Sequence, residues 1–408
     1  MKLFYKLAWR NIFRNKKRTI ITALAIGIGI AALIYTDAVM LGMQKNMIES
    51  LTSTYLGEAQ IHRKGYTETQ ELEMTIKNPS RVIENLKKEG KVKYFSKRTK
   101  SQGTISSPST MKPILINGIE PKKEKEITKL DDAIIRGEFL NPSSKRDIII
   151  GKEMAENLEV TTGDRVVITL SEANTNEISQ MMFRVSGIFD LATDDIEKGM
   201  VFVNLSVAQT MLNLDDRLHE IAIKYTDIQY SREKNNEFLS KYTKNGNIAE
   251  NWPTLVPQMQ MVIDMQSFSL SIVGLIIFGV VVFGIFNTLF MAIYERIFEF
   301  GVLRAIGTKA KDLIYLIIFE AASLGFVASI VGIILGYLIS VISIEVGIDY
   351  SGIELAGAAF SGKLYPVLEL RQFIIHPLLI WFFTILVSIY PAVYAGKLNI
   401  ADSLRKSL

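Results

Sequence analysis

The sequence predicts a membrane protein of four transmembrane α-helices with a large α+β extracytoplasmic domain between helices 1 and 2. Three observations carry that prediction. Four stretches of the 408-residue chain are long and almost free of charge, whereas nothing between Lys45 and Gln260 comes close to a fifth. The interval after the first stretch is polar, with short alternating runs that suit strands. Lys and Arg cluster on one side only of the apolar stretches. The overall mixture, 49% hydrophobic but 22% charged, fits spans joined to a polar domain.

In order, residues 1–18, "MKLFYKLAWRNIFRNKKR", predict an amphipathic helix. Lys2, Lys6, Arg10 and Arg14 recur every four residues, and Phe4, Tyr5, Ala8, Trp9 and Ile12 fall on the other side. Such a helix suits the inner headgroup layer. Residues 19–44 form the first transmembrane helix. Its apolar core is long and no small-x-small site follows, so it is expected to be retained rather than cleaved. Residues 45–262 form the extracytoplasmic, periplasmic α+β domain. Within it "KRDIIIGKEMAENLEV" predicts a strand, a turn at Gly151 and a helix, and "TTGDRVVITL" a turn into a strand. "QMMFRVSGIFD", "KGMVFVNL" and "LHEIAIKYTD" predict further strands, and "SVAQTMLNL" a helix with a Ser206 N-cap. Pro253 and Pro257 mark a hinge back to the membrane. The second helix covers 263–294, a cytoplasmic coupling helix 295–311, the third span 312–344, an extracytoplasmic loop 345–372, the fourth span 373–396 and a cytoplasmic tail 397–408. The basic residues before helix 1, between helices 2 and 3 and after helix 4 place both termini in the cytoplasm of a multi-pass inner-membrane protein.

Several chemistries find no support. No Gly-x-x-x-x-Gly-Lys-Ser/Thr occurs, and Gly-Lys pairs such as those at 151, 362 and 396 are followed by Glu or Leu, so the chain is expected to carry no ATP site of its own. His62, His219 and His376 are scattered, which suits surface or interface histidines rather than a metal site. There is no Gly-x-Ser-x-Gly elbow and no cysteine. A net charge of +4 without basic-aromatic runs gives no reason to expect nucleic acid. The chain alone is not expected to be an enzyme, nor to bind a cofactor or metal.

Within the spans, Ala328, Gly332, Gly336 and Ser340 recur every four residues on helix 3, and Ala23, Gly27 and Ala31 on helix 1. Small stripes of this kind let helices approach closely, within one chain or between two. Glu320 sits about two turns into helix 3, where a carboxylate is costly and normally points into protein or water. A structural polar contact is expected for it. Between helices 2 and 3, Glu295 and Glu299 are one turn apart, Arg304 follows, and Gly307-Thr308 supplies a stop and a new start. Phe298, Val302, Leu303 and Ile306 are expected to anchor that helix inward, leaving the charges for a soluble partner or for plain solvation.

The stretch "NTLFMAIYERIFEFGVLRAIGTKAKDLIYLIIFEA" resembles the signature of FtsX-like, MacB-type ABC transporter permeases. "LAWRNIFRNKKRTIITALAIGIGIA" is similar to that family's N-terminal helix and first span, and "PAVYAGKLNIADSLRK" to its ending, with Ile400 where proline is usual. "NGIEP", "IIRGEFL", "LEVTTGDRVVITL" and "FRVSGIFD" resemble its extracytoplasmic domain. A separate ATPase, four spans and a large external domain are most similar to the lipoprotein-releasing LolC/LolE type. The resemblance stops at 171–182, where LolC-type chains carry a longer, proline-containing hairpin that docks a periplasmic carrier.

The resemblance implies that two permease chains pair, as a homodimer or with a paralogue, and that two copies of a separate ABC ATPase, holding ATP and Mg, bind from the cytoplasm. The ATPase-coupling residues it implies are Glu295, Arg296, Glu299, Phe300 and Gly301, followed by Leu303, Arg304, Ala305 and Gly307. Cargo would meet the outer span ends among membrane lipids, at Tyr35, Val39 and Met43 on helix 1 and Met261, Met265 and Phe268 on helix 2. Two functions remain open under it: extraction of a lipoprotein or efflux of a small molecule, and regulation of a cell-wall hydrolase.

Overall fold

In a computed structural model of the chain, residues 9–10, 16–175, 177–191, 194–233, 236–349, 354–355, 358–359 and 363–397 are described. The N-terminal amphipathic helix expected over 1–18 and the tail at 397–408 fall almost wholly outside them. The chain divides into two compact units, Met1–Lys45 with Asp264–Tyr350 and Gly362–Leu408, and Asn46–Ile263 with Ser351–Ser361.

The first unit is built on four long helices, α1 (Lys16–Leu51), α2 (Pro257–Glu295), α4 (Ala310–Val346) and α5 (Leu370–Lys397), with the short α3 (Ile297–Ala305) between α2 and α4. All but α3 are long and apolar enough to cross a membrane. Two helices outrun the apolar stretches that announce them. α1 continues to Leu51, and α2 opens at Pro257, whose missing N–H and fixed φ suit a first helical position. The unit's core joins Ile26, Ile30 and Ile34 of α1 to Ile285 and Leu289 of α2, Ala321 and Ala328 of α4 and Ile380 of α5.

Helices α1 and α4 touch through their small residues. A Cβ placed on Gly332 would lie 2.6 Å from Ile30 Cβ and 3.0 Å from the Gly27 carbonyl, and one on Gly336 would lie 3.2 Å from Ile34 Cβ. Ala328 and Ser340 are fully buried. The two stripes seen in the sequence therefore serve each other inside one chain.

The second unit is an α+β domain around a ten-stranded sheet. Its strands are β1 (Ala59–Arg63), β2 (Val92–Ser106), β3 (Met111–Ile119), β4 (Ile134–Gly137) and β5 (Asp147–Gly151). They continue with β6 (Arg165–Ser171), β7 (Ile178–Phe189), β8 (Met200–Asn204), β9 (Glu220–Tyr225) and β10 (Asn247–Asn251). The main path runs β10-β1-β9-β2-β3-β8-β5-β7-β4, with β6 bridging β2 and β7. β3–β8 and β5–β7 are parallel and the other pairs antiparallel. Alternation sets the faces: Val166, Ile168 and Leu170 of β6 point into the core, where Phe183 and Val185 of β7 meet them.

Two local expectations are corrected. The helix following β8 starts at Leu205 with Asn204 in the cap position, so Ser206 lies in its first turn instead of capping it. His62 and His219 are buried within the domain rather than at its surface. His219 stacks on Tyr66, with ring centroids 5.2 Å apart.

Candidate coupling site between the second and third long helices

The backbone leaves helical geometry at Arg296 (φ −109°, ψ 10°), separating α2 from α3. Glu295 is thus the last residue of α2, and Glu299 lies in the first turn of α3. The expectation of one coupling helix from 295, carrying both carboxylates one turn apart, is corrected by that break. Within α3 the charges suit the helix dipole, with Glu299 in the first turn and Arg304 in the last. Gly307, at φ +106°, ends the segment, and Lys309 rather than Thr308 occupies the cap position of α4.

The break also resets which face of α3 looks inward. Ile297, Phe300 and Gly301 are buried. Phe300 packs with Ile293 of α2, Leu313, Leu316 and Ile317 of α4 and Ala392 of α5, and Leu303 lies against the same cluster. Phe298, Val302 and Ile306, expected to anchor inward, are instead exposed by 46%, 38% and 75%. With exposed Ala305 they form an apolar strip at i, i+4, i+7 and i+8 spacing. Glu295 and Gly307 are exposed beside it. The charged residues named from sequence divide accordingly, because Arg296 and Arg304 turn back into the chain.

Arg296 is the hub. Its Nε donates to Glu299 Oε2 at 3.0 Å and its Nη1 to Glu320 Oε2 at 2.6 Å. Its guanidinium lies 5.0 Å from the centre of the Phe300 ring. Arg296 and Glu320 side chains keep only 12% and 17% of their surface exposed. Glu320 is thus a structural ion-pair partner across helices. The sequence hides the pair, because its members lie 24 positions apart and the family resemblance assigns Arg296 to ATPase coupling. Arg304 Nη1 donates to the Gly396 carbonyl at 2.9 Å, tying the end of α3 to the end of α5. A cavity of about 60 Å³ opens beside the pair, between Thr19 and Thr22 of α1, Thr288 of α2 and Ala321 and Leu324 of α4.

The residues named as cargo contacts are not uniform. Met261, Met265 and Phe268 are well exposed. Tyr35, Val39 and Met43 are half-buried. The Tyr35 hydroxyl accepts from Ser343, and Met43 sulfur accepts from Gln266 Nε2 at 2.7 Å. One further pair carries no signal in the sequence: His376 Nε2 of α5 sits 3.1 Å from Asp37 Oδ2 of α1.

Residues 19–232 match the MacB-like periplasmic core domain, and residues 271–400 the FtsX-like permease C-terminal domain. The chain belongs to the FtsX-like, MacB-type family of ABC transporter permeases. Among its relatives, the lipoprotein-releasing system transmembrane protein LolC of Neisseria meningitidis is 22% identical over 83% of this chain and 82% of that one. The lipoprotein-releasing system protein LolE of Haemophilus influenzae is 20% identical over 98% of both chains. An ABC transporter permease of Methanocaldococcus jannaschii is 24% identical over 98% of this chain and 96% of its own. In this permease the ten-stranded domain is therefore the MacB-like extracytoplasmic part, and α2 to α5 carry the FtsX-like part.

Proposed function

We propose that this permease couples ATP hydrolysis in a separate ATPase subunit to motion of its extracytoplasmic domain, and that the motion releases lipoproteins from the inner membrane. The observation that carries the reading is α3. It presents an exposed apolar strip flanked by Glu295 and Glu299, while Arg296 and Arg304 fasten its two ends to α4 and α5. A short helix that is firmly held on one face and apolar on the other suits a groove in a partner, where a few buried anchors carry most of the affinity. Force applied to α3 would pass through the Arg296–Glu320 pair into α4.

In this reading two copies of the ATPase hold ATP and Mg, and this chain supplies no catalytic group. A second permease chain, identical or paralogous, completes the complex. Both termini and α3 face the cytoplasm, and the extracytoplasmic domain meets lipoprotein cargo. The names of the LolC and LolE relatives support lipoproteins as the cargo.

The reading is tested by purifying the permease from its own membranes with and without its partner. ATP turnover is expected only when a separate ATP-binding subunit co-purifies, and release of a fluorescent triacylated lipoprotein from proteoliposomes only with ATP. Hydrolysis by the rigorously purified permease alone would contradict the division of labour. ATP-dependent activation of a cell-wall hydrolase without lipoprotein release would replace the cargo.

A further inference from the structure

Where α1 ends, the chain does something unusual. Residues Thr52–Leu56 wind as a single π-helical turn, closed by Gly57 at φ +79°, whose N–H donates to the Thr52 carbonyl at 2.9 Å. Such turns are rare and concentrate at functional positions. From Asn46 onward the end of α1 belongs to the same compact unit as the sheet. The Ser53 carbonyl accepts from Lys129 N–H at 2.7 Å.

This turn inserts Tyr55 into a buried charge cluster at the centre of the sheet. The Arg98 guanidinium lies 4.6 Å, and the Lys100 ammonium 4.9 Å, from the centre of the Tyr55 ring. The hydroxyl donates to Asn117 Oδ1 at 2.5 Å. The two cations are matched by two carboxylates. Arg98 is fully buried and donates to Glu124 at 2.5 Å and to Glu220 at 2.7 Å, and Lys100 also pairs with Glu220. Ser96 supplies Glu124 with a further bond of 2.7 Å. Register explains the assembly: Arg98 faces Glu220 across β2–β9, and Lys100 faces Asn117 across β2–β3. The other edge of the Tyr55 ring meets Phe202 at 5.7 Å, within an apolar cluster with Ile119, Ile149 and Phe189.

Stability alone does not account for three buried charges and a half-buried fourth, because an apolar core of the same volume often serves as well or better. What the cluster adds is direction. Two cations against one aromatic ring hold a single side chain against sliding as well as withdrawal. That side chain belongs to the turn continuing α1. We infer that Tyr55 is a positioning residue for transport: the clamp through which displacement of α1 is delivered to the β9-β2-β3 centre of the extracytoplasmic sheet. The inference rests on the reading that ATP hydrolysis moves this domain.

The test uses the permease with its ATPase partner in nanodiscs. The chain has no cysteine, so Lys122→Cys on the domain and Lys363→Cys on the α4–α5 loop can carry two spin labels without background. Labelled chains are diluted with unlabelled ones, and the distance is measured without nucleotide and trapped with ATP and vanadate. The unaltered clamp should give a nucleotide-dependent shift. Tyr55→Phe, which keeps the ring on both cations, should retain it. Tyr55→Met, which keeps apolar volume but no aromatic face, should lose at least half of the shift while ATP turnover stays within twofold. Hydrogen exchange in β2 and β9 reports whether that sheet is folded. If it is not, Lys100→Gln, which leaves Glu220 paired with Arg98, should likewise lose half of the shift. A full shift in Tyr55→Met, or in Lys100→Gln where that variant is needed, overturns the clamp alone. No shift in the unaltered protein overturns the moving-domain reading, and the clamp with it.

Discussion

Individual residues carry two measurable consequences. His219 is buried between Tyr66 and the charge cluster. Lys100 N–H donates to its Nδ1 at 3.1 Å, and Nε2 lies 2.9 Å from the Leu72 carbonyl, an arrangement that fits the neutral ring with its proton on Nε2. Burial pushes its pKa down from 6.5 to about 4. Between those values the unfolded chain binds a proton that the folded domain refuses, so stability rises with pH through this window and falls on acidification. The shift corresponds to roughly 3 kcal/mol in order of magnitude. Hydrogen-exchange protection of β9 in the full chain should therefore drop between pH 6.5 and 4, and His219→Gln should flatten that slope. An unchanged slope in the variant would assign the acid sensitivity elsewhere. The second consequence concerns Arg296 and Glu320. In a double-mutant cycle on the membrane unit, Arg296→Ala and Glu320→Ala should show a coupling of at least ~1 kcal/mol, as contacting residues in one network do. The swap Arg296→Glu with Glu320→Arg should recover part of the loss, and strictly additive effects would mean the pair holds nothing.

At the level of elements, the sequence disclosed periods better than faces. Spans and strands were legible because burial imposes patterns of length and alternation that any neighbour satisfies: β6 shows this in Val166, Ile168 and Leu170. The orientation of α3 was not legible. At 100° per residue, the inward face follows only if the helix is continuous, and the break at Arg296 turned Phe298, Val302 and Ile306 outward. The small stripes on α1 and α4 were visible, but not their partners, since glycine spacing is the same for contacts within and between chains. The structure spends both stripes within the chain. Gly332→Leu should therefore lower the thermal stability of the permease, because a side chain there meets Ile30, and overpacking typically costs about 1–3 kcal/mol. The loss should be equal in dilute detergent and in dense nanodiscs. A loss that appears only where chains associate would return the stripe to a chain–chain interface.

For the whole molecule, the fold separates tasks along the chain. A sheet with its own cores receives α1 through the Tyr55 turn, and α2 leads from the same domain down to α3. In the membrane unit α3 is held by Arg296 and Arg304 and left apolar outside. The central claim is that this outer face of α3 receives the ATPase. The most direct measurement is the affinity of the purified ATPase partner for the permease in nanodiscs, comparing the unaltered chain with Phe298→Asp, Val302→Asp and Glu299→Lys. Anchors at the centre of an interface cost about 2 kcal/mol or more on loss, roughly 30-fold in affinity. Phe298→Asp and Val302→Asp should reach that figure, with β9 and α4 retaining their hydrogen-exchange protection. Glu299→Lys should weaken binding less, because its carboxylate is shared with Arg296. Unchanged affinity in both apolar-strip variants, with the permease folded, would contradict the account and leave α3 a solvated connector between two spans.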